Sequence, residues 1–203
     1  MSEKIVIVDY GRGNLHSVNK ALIKVGGTVS ISSSAKVIAA ADKVILPGVG
    51  AFGDCMTNLQ KYDLVEVLLQ TLRSGKPFLG ICLGEQLLFE GSEEAPGVAG
   101  LGFFKGQVEK IKTNLKIPHM GWNKLELKMP SPLLAKASEE YVYFVHSYHA
   151  VPVDKSIITS VCDYNCQITA SVGKDNVQAL QFHPEKSSSV GLNILEAFKE
   201  WKL

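Results

Sequence analysis

The chain has 203 residues, 46% of them apolar and 20% charged, with a formal net charge of +1. That length fits one large domain, residues 1–203, with a proper core, and the lack of any acidic or basic block argues against nucleic acid or an anionic membrane surface as a partner. Four cysteines in a chain of this size point to a reducing, cytoplasmic setting rather than to a disulfide scaffold.

Met1-Ser2-Glu3-Lys4 runs straight into Ile5-Val6-Ile7-Val8, without the apolar run and small-residue cleavage site of a leader, and no stretch approaches bilayer length. Lys4 to Asp9 is predicted as a buried strand ending in an acid. Leu15, Val18, Leu22 and Val25 then recur at helical spacing, and Gly26-Gly27 closes that helix. The loop Gly11-Arg12-Gly13 is not a dinucleotide fingerprint, because His16 stands where the third glycine belongs. A strand at 28–31, a short helix at 35–41 and a strand at 43–46 continue the alternation expected of a parallel sheet with helices on both faces.

Pro47-Gly48-Val49-Gly50-Ala51-Phe52-Gly53 follows the third strand and places backbone N–H groups at the ligand-binding carboxyl edge of such a sheet. No Gly-Lys-Ser or Gly-Lys-Thr makes it a phosphate loop. Helices are predicted over 54–62 and 64–74, the second with Leu64, Val67, Leu68 and Leu72 on one face and Gly75 as its stop. Beyond residue 100 the β-branched, alternating runs at 108–111, 124–127, 141–145, 157–161, 168–172 and 177–182 imply largely antiparallel strands. Cys162 and Cys166 are placed on neighbouring strands as structural residues, since no second Cys or His pair accompanies them as metal ligands. Ser187–Ser189 is expected to cap a last helix that packs through Val190, Ile194, Leu195, Phe198 and Trp201. The fold class is therefore α/β: a mostly parallel central sheet with helices on both faces, plus antiparallel strands in the C-terminal half.

Two stretches carry chemistry. Pro77 to Leu88 reads as a buried strand entering a helix, with Cys82 between Gly80 and Gly84, the spacing of a nucleophile elbow. A strand turning at once into a helix crowds its neighbours, so glycine is the tolerated residue at both flanks, and the helix N-terminus favours a thiolate. Alone, Gly-x-Cys-x-Gly fits an ordinary strand–loop–helix joint as well. The second stretch is Gln181-Phe182-His183-Pro184-Glu185. A thiol nucleophile needs an imidazole base, and the base needs a carboxylate to fix its tautomer. Read together, the two stretches give a Cys82–His183–Glu185 triad.

With these motifs the chain resembles the class I (triad-type) glutamine amidotransferases over essentially its full length, and within them the glutaminase subunits of imidazole glycerol phosphate synthases. The resemblance is carried by Asp9 to Leu15, Leu46 to Gly50, Gly80 to Leu88, Pro118-His119-Met120-Gly121-Trp122-Asn123, Tyr143-Phe144-Val145-His146-Ser147-Tyr148 and Gln181 to Ser187. It implies hydrolysis of glutamine to glutamate and ammonia through a Cys82 thioester, with no metal or cofactor. Leu83 and the Val49-Gly50 segment would supply oxyanion N–H groups, while Gln86, Gly50, His146, Ser147 and Tyr148 would grip the substrate. The implied partner is a (β/α)8-barrel synthase subunit, bound as a heterodimer and fed through an ammonia tunnel. Asn14, Met120, Trp122, Asn123, Tyr143 and Lys186 are the expected contacts, with 118–123 read as a turn-like segment. One departure is Glu85, where the family usually has an apolar residue, often Met; its carboxylate is expected to face solvent or the partner. Two other readings stay open: a glutaminase feeding a different amidating synthase, and a stand-alone thiol hydrolase. A catalytically silent binding module is a third, against which the intact triad argues.

Overall fold

The computed structural model describes residues 3–203. In chain order its elements are β1 (Lys4–Val8), α1 (Leu15–Lys24), β2 (Thr28–Ser32), α2 (Ala35–Ala39), β3 (Lys43–Gly48), α3 (Phe52–Lys61), α4 (Val65–Arg73), β4 (Phe78–Cys82), α5 (Leu83–Gln86) and β5 (Gly91–Ser92). They continue with β6 (Gly106–Lys110), β7 (His119–Lys124), β8 (Glu126–Leu127), β9 (Tyr141–His146), β10 (Tyr148–Pro152), β11 (Ile158–Asp163), β12 (Gln167–Lys174), β13 (Val177–Leu180) and α6 (Ser188–Glu200).

Among the described residues the main sheet runs β2-β1-β3-β4-β13-β12-β11-β8. The first five strands are parallel, and β12, β11 and β8 close the other edge antiparallel. β1 is a continuous apolar run because both of its faces are covered. Val6 and Val8 join the core beneath α2, α3 and α4, while Ile5 and Ile7 join the core beneath α1 and α6. Lys43, at the start of β3, is buried, and its ammonium satisfies the carbonyls of Phe198, Lys199 and Trp201 at the frayed end of α6.

The decisive pairing is that of β13 with β4. β13 slots in parallel, Leu180 beside Ile81, so the carboxyl ends of the two strands lie side by side. Residues 181–185 thereby emerge next to Cys82, although they are about a hundred positions downstream in sequence. Two smaller sheets, β10-β6-β5 and β7-β9, stand over that end.

Several sequence expectations need correction. Residues 119–124 are not a turn but a full strand paired with β9, Trp122 opposite Tyr143. β10 went unforeseen: Tyr148-His149-Ala150-Val151-Pro152 carries few strand signals and ends in proline. Cys166 lies in the turn between β11 and β12 rather than on a strand. Ser187 does not cap α6 through its side chain. Its hydroxyl instead donates to His183 O (2.7 Å) and accepts from the Tyr143 N–H (3.0 Å), tying β9 to the segment after β13.

Glu85 is also corrected. It is wholly buried, and neither carboxylate oxygen has a hydrogen-bond partner. α5 is a single turn set against β3, β4, β10 and β13, so all four of its residues are buried. Burial first, and then the neighbouring Cys82, push the Glu85 carboxyl well above the usual carboxylate range. The folded chain thus holds it neutral where an unfolded chain ionises it. Between the two pKa values the unfolded state binds fewer protons, so stability falls as pH rises through that window and stays low above it. Glu85→Gln keeps the shape and cannot ionise. It should melt higher than the parent chain at about pH 8, by about 2–4 °C per kcal/mol recovered, with the gain vanishing near pH 4. Melting curves of both forms across that range test this; equal melting throughout would mean the carboxylate is solvated or paired.

Candidate active site

Cys82 ends β4 with φ 55° and ψ −113°, a conformation that a residue with a side chain holds only when its surroundings force it. The force comes from close approach. A Cβ on Gly84 would overlap the Leu46 carbonyl oxygen of β3, and one on Gly80 would lie 2.9 Å from the Gly84 oxygen. The thiol is thereby presented at the mouth of the sheet, and the Leu83 N–H opens a helical turn without an intrahelical partner.

His183 follows β13. Its Nδ1–H donates to Glu185 Oε1 at 2.8 Å, and Asn14 Nδ2 donates to the same oxygen at 3.4 Å. Both triad side chains are almost fully buried, and His183 Nε2 has no partner within hydrogen-bond geometry. Burial alone would lower the His183 pKa; its interactions with Cys82 and Glu185 outweigh that and raise it. An imidazole with one nitrogen fixed on a carboxylate and the other left to a thiol can take up and return a proton.

These residues open on a pocket of about 300 Å³, which brings together Val49, Gly50, Cys82, Leu83, Gln86, His146, Ser147, Tyr148 and His183. Every residue expected at the substrate site lines it. The glycine loop on one side is held from behind: Tyr10 OH donates to Pro47 O (2.8 Å) and the Cys55 thiol to Val49 O (3.7 Å). In a planar trans peptide the Gly50 N–H points opposite to the Val49 carbonyl, away from Cys55. Gly50 itself has φ 101°.

The opposite wall is a chain of directional hydrogen bonds. Tyr148 O only accepts, so His146 carries its proton on Nδ1, 2.8 Å away. His146 Nε2 must then accept from His119 Nδ1 at 2.9 Å, and His119 Nε2 from Asn123 Nδ2 at 3.2 Å. Burial lowers both imidazoles, His119 to about 4 and His146 to about 3, so both are neutral near pH 7. Gln86 Nε2 approaches the same Tyr148 oxygen at 3.0 Å and Gln181 Oε1 at 2.8 Å, and Gln181 Nε2 lies 3.8 Å from Cys82 Sγ.

Three polar residues at the site were not singled out from sequence: His119, Gln181 and Glu94. Glu94 lines the pocket and accepts from the Phe52 N–H at 2.7 Å, the first residue of α3. Only the Gln-Phe-His-Pro-Glu context could have pointed to Gln181. Of the expected partner contacts, Met120 and Trp122 are exposed on the outer face of β7. Trp122 meets Tyr143 edge-on at 6.2 Å, and Lys186 Nζ sits 5.6 Å from the Tyr143 ring. The other two are engaged within the chain: Asn14 donates to Glu185, and Asn123 bonds His119 and Asp163 O.

The family described as glutamine amidotransferase class-I matches residues 6–200. The chain is 47% identical to imidazole glycerol phosphate synthase subunit HisH of Geobacter sulfurreducens, over 98% of this chain and 99% of that protein. It is 50% identical to the subunit of the same name from Aquifex aeolicus, over 97% of this chain and 96% of that protein. Among solved structures, that of PurLQS from Thermotoga maritima superposes with a TM-score of 0.76 at 19% identity, covering 98% of each chain, which is a likeness of fold. With the match running nearly end to end, the chain belongs to the class-I glutamine amidotransferase family.

Proposed function

We propose that the chain is the glutaminase subunit of an imidazole glycerol phosphate synthase, acting in histidine biosynthesis. The observation that carries this reading is the buried Cys82–His183–Glu185 arrangement at the base of a pocket sized for one amino acid. Relatives named as that subunit, matching along nearly their whole length, support the same assignment. The whole chain acts as a single domain, since β13 joins the C-terminal half to the N-terminal sheet. Four free cysteines fit a cytoplasmic location, and no helix among the described residues is long and apolar enough to cross a membrane.

In the mechanism, Cys82 Sγ attacks the side-chain amide carbon of glutamine while His183 Nε2 holds the thiol proton. The oxyanion is received by the Leu83 N–H and an N–H of the Val49-Gly50 segment. His183 then returns the proton to the leaving nitrogen, ammonia departs and a γ-glutamyl thioester remains. Water, deprotonated by His183, attacks the thioester and glutamate leaves with Sγ restored. Glu185 keeps the imidazole in the productive tautomer throughout. The Glu94 carboxylate at the rim suits the substrate's α-ammonium, and Gln86 with the Ser147 and Tyr148 backbone suits its α-carboxylate and α-amino groups.

Free ammonia becomes ammonium in water and loses its nucleophilicity, so the product needs a sheltered route. The proposed recipient is a barrel-type synthase subunit, docked as a heterodimer on the patch of Met120, Trp122, Tyr143 and Lys186. An exposed tryptophan beside a half-buried tyrosine and a basic side chain has the composition of an interface anchor.

Three outcomes test this. Cys82→Ser should abolish glutamine hydrolysis and labelling by a glutamine-mimicking alkylator, whereas Cys166→Ser, outside the pocket lining, should preserve both. Labelling elsewhere would unseat Cys82.

His183→Ala should cut glutamine-dependent synthase turnover by about 10³-fold or more, and Glu185→Ala by somewhat less. Either variant, reconstituted with the synthase subunit, should still run on added ammonia. Loss with ammonia as well would reassign these residues to folding or assembly.

The isolated chain should be a poor glutaminase, because a glycine-rich oxyanion loop reorients at low cost. Adding the synthase subunit with its nucleotide ligand should raise glutamate release about 10²–10³-fold, the worth of one oxyanion donor. Full activity in the chain alone would favour the stand-alone hydrolase.

A further inference from the structure

Gln181 is wholly buried, two residues before His183 on the segment leaving β13. Both side chains reach toward Cys82: the Gln181 amide lies against its sulfur, and His183 lines the same pocket. The amide has only one possible orientation. Tyr148 O accepts only, so Gln86 must present its NH2 group there. The same nitrogen meets Gln181, which must answer with its carbonyl oxygen. Gln181 therefore has its NH2 group, and not its oxygen, toward Cys82 Sγ at 3.8 Å. Gln86, with both hydrogens engaged, keeps its own carbonyl oxygen for the pocket.

We propose that Gln181 is a further catalytic residue of the glutaminase reaction, its Nε2–H donating to the Cys82 sulfur whenever that sulfur carries negative charge. The inference rests on the reading of Cys82 as the nucleophile. A hydrogen bond to an anion is stronger than one to a neutral group, so the donor favours the thiolate over the thiol and over the thioester sulfur. Its effect falls on two moments. Before attack it raises the fraction of Cys82 present as thiolate. In deacylation the C–S bond breaks, the electron pair passes to Sγ and the water proton to His183; the donor then stabilises the departing sulfur. The His183 imidazolium formed in that step is the sulfur's other donor, and Gln181 adds a second one that carries no transferable proton.

Gln181→Leu removes the donor at nearly constant volume. The test is the pH dependence of Cys82 alkylation by iodoacetamide, followed together with steady-state glutamine hydrolysis and intact mass of the γ-glutamyl enzyme. In Gln181→Leu the midpoint of the alkylation profile should move up by about one pH unit. kcat should fall about tenfold or more, with accumulation of the γ-glutamyl enzyme and a smaller change in KM. Gln181→Met serves in place of the leucine variant if that chain does not fold. A parent profile in the Gln181 variant, even with reduced kcat, overturns the proposal and leaves Gln181 as a prop for Gln86. Failure of the parent chain to be alkylated at Cys82 at all would instead overturn the glutaminase reading.

Discussion

The site depends on one contact that leaves no room for a side chain: the seating of α5 against the carbonyl of Leu46. A glycine at position 84 lets the helical turn close onto β3, and that closeness holds Cys82 at positive φ with its thiol outward. Relaxing the turn would return the cysteine to the plane of the sheet, where it would be one more buried strand residue. Such a strained residue costs about 1–3 kcal/mol and persists only where its surroundings over-determine it. Here they do so through five parallel strands covered on both faces, with the fully buried aliphatic residues of β1, β3 and β4 at their centre.

The second requirement is the insertion of β13 beside β4. It converts a long separation in sequence into adjacency at the sheet's carboxyl edge, where an open α/β sheet has its ligand crevice. The antiparallel strands of the C-terminal half have a definite task in this arrangement. They return the chain to the centre of the sheet and raise β9 and β10 as the far wall of the pocket, with β7 paired to β9. Ser187 ties that wall to the catalytic segment through one hydroxyl, bonded both to His183 O and to the Tyr143 N–H.

The N-terminal α/β half was legible because its signals are local: continuous apolar strands, helical spacing and glycine stops. That Cys82, His183 and Glu185 would be brought together was legible because chemistry restricts the residue types and their spacing. Legibility failed where tertiary contact overrides local pattern. Pro118 and Gly121 read as a turn, yet Gly121 takes φ 131° inside a strand that β9 holds in register. Glu85 reads as an exposed first-turn acid because nothing local reveals that its helix is one turn long and covered on all sides. The roles of His119 and Gln181 were not legible at all. They follow from which atom is donor and which acceptor, a property that exists only once Tyr148 O is in place.

That oxygen has a consequence for how the pocket meets its ligand. By engaging the His146 Nδ1–H it commits both wall histidines to single neutral tautomers, and burial keeps protons off them until the solution is strongly acidic. A wall with two imidazoles would ordinarily change its electrostatic potential across neutral pH. This one presents a fixed pattern of dipoles instead. For the proposed reaction this insulates recognition of a zwitterionic amino acid from changes of pH across the neutral range.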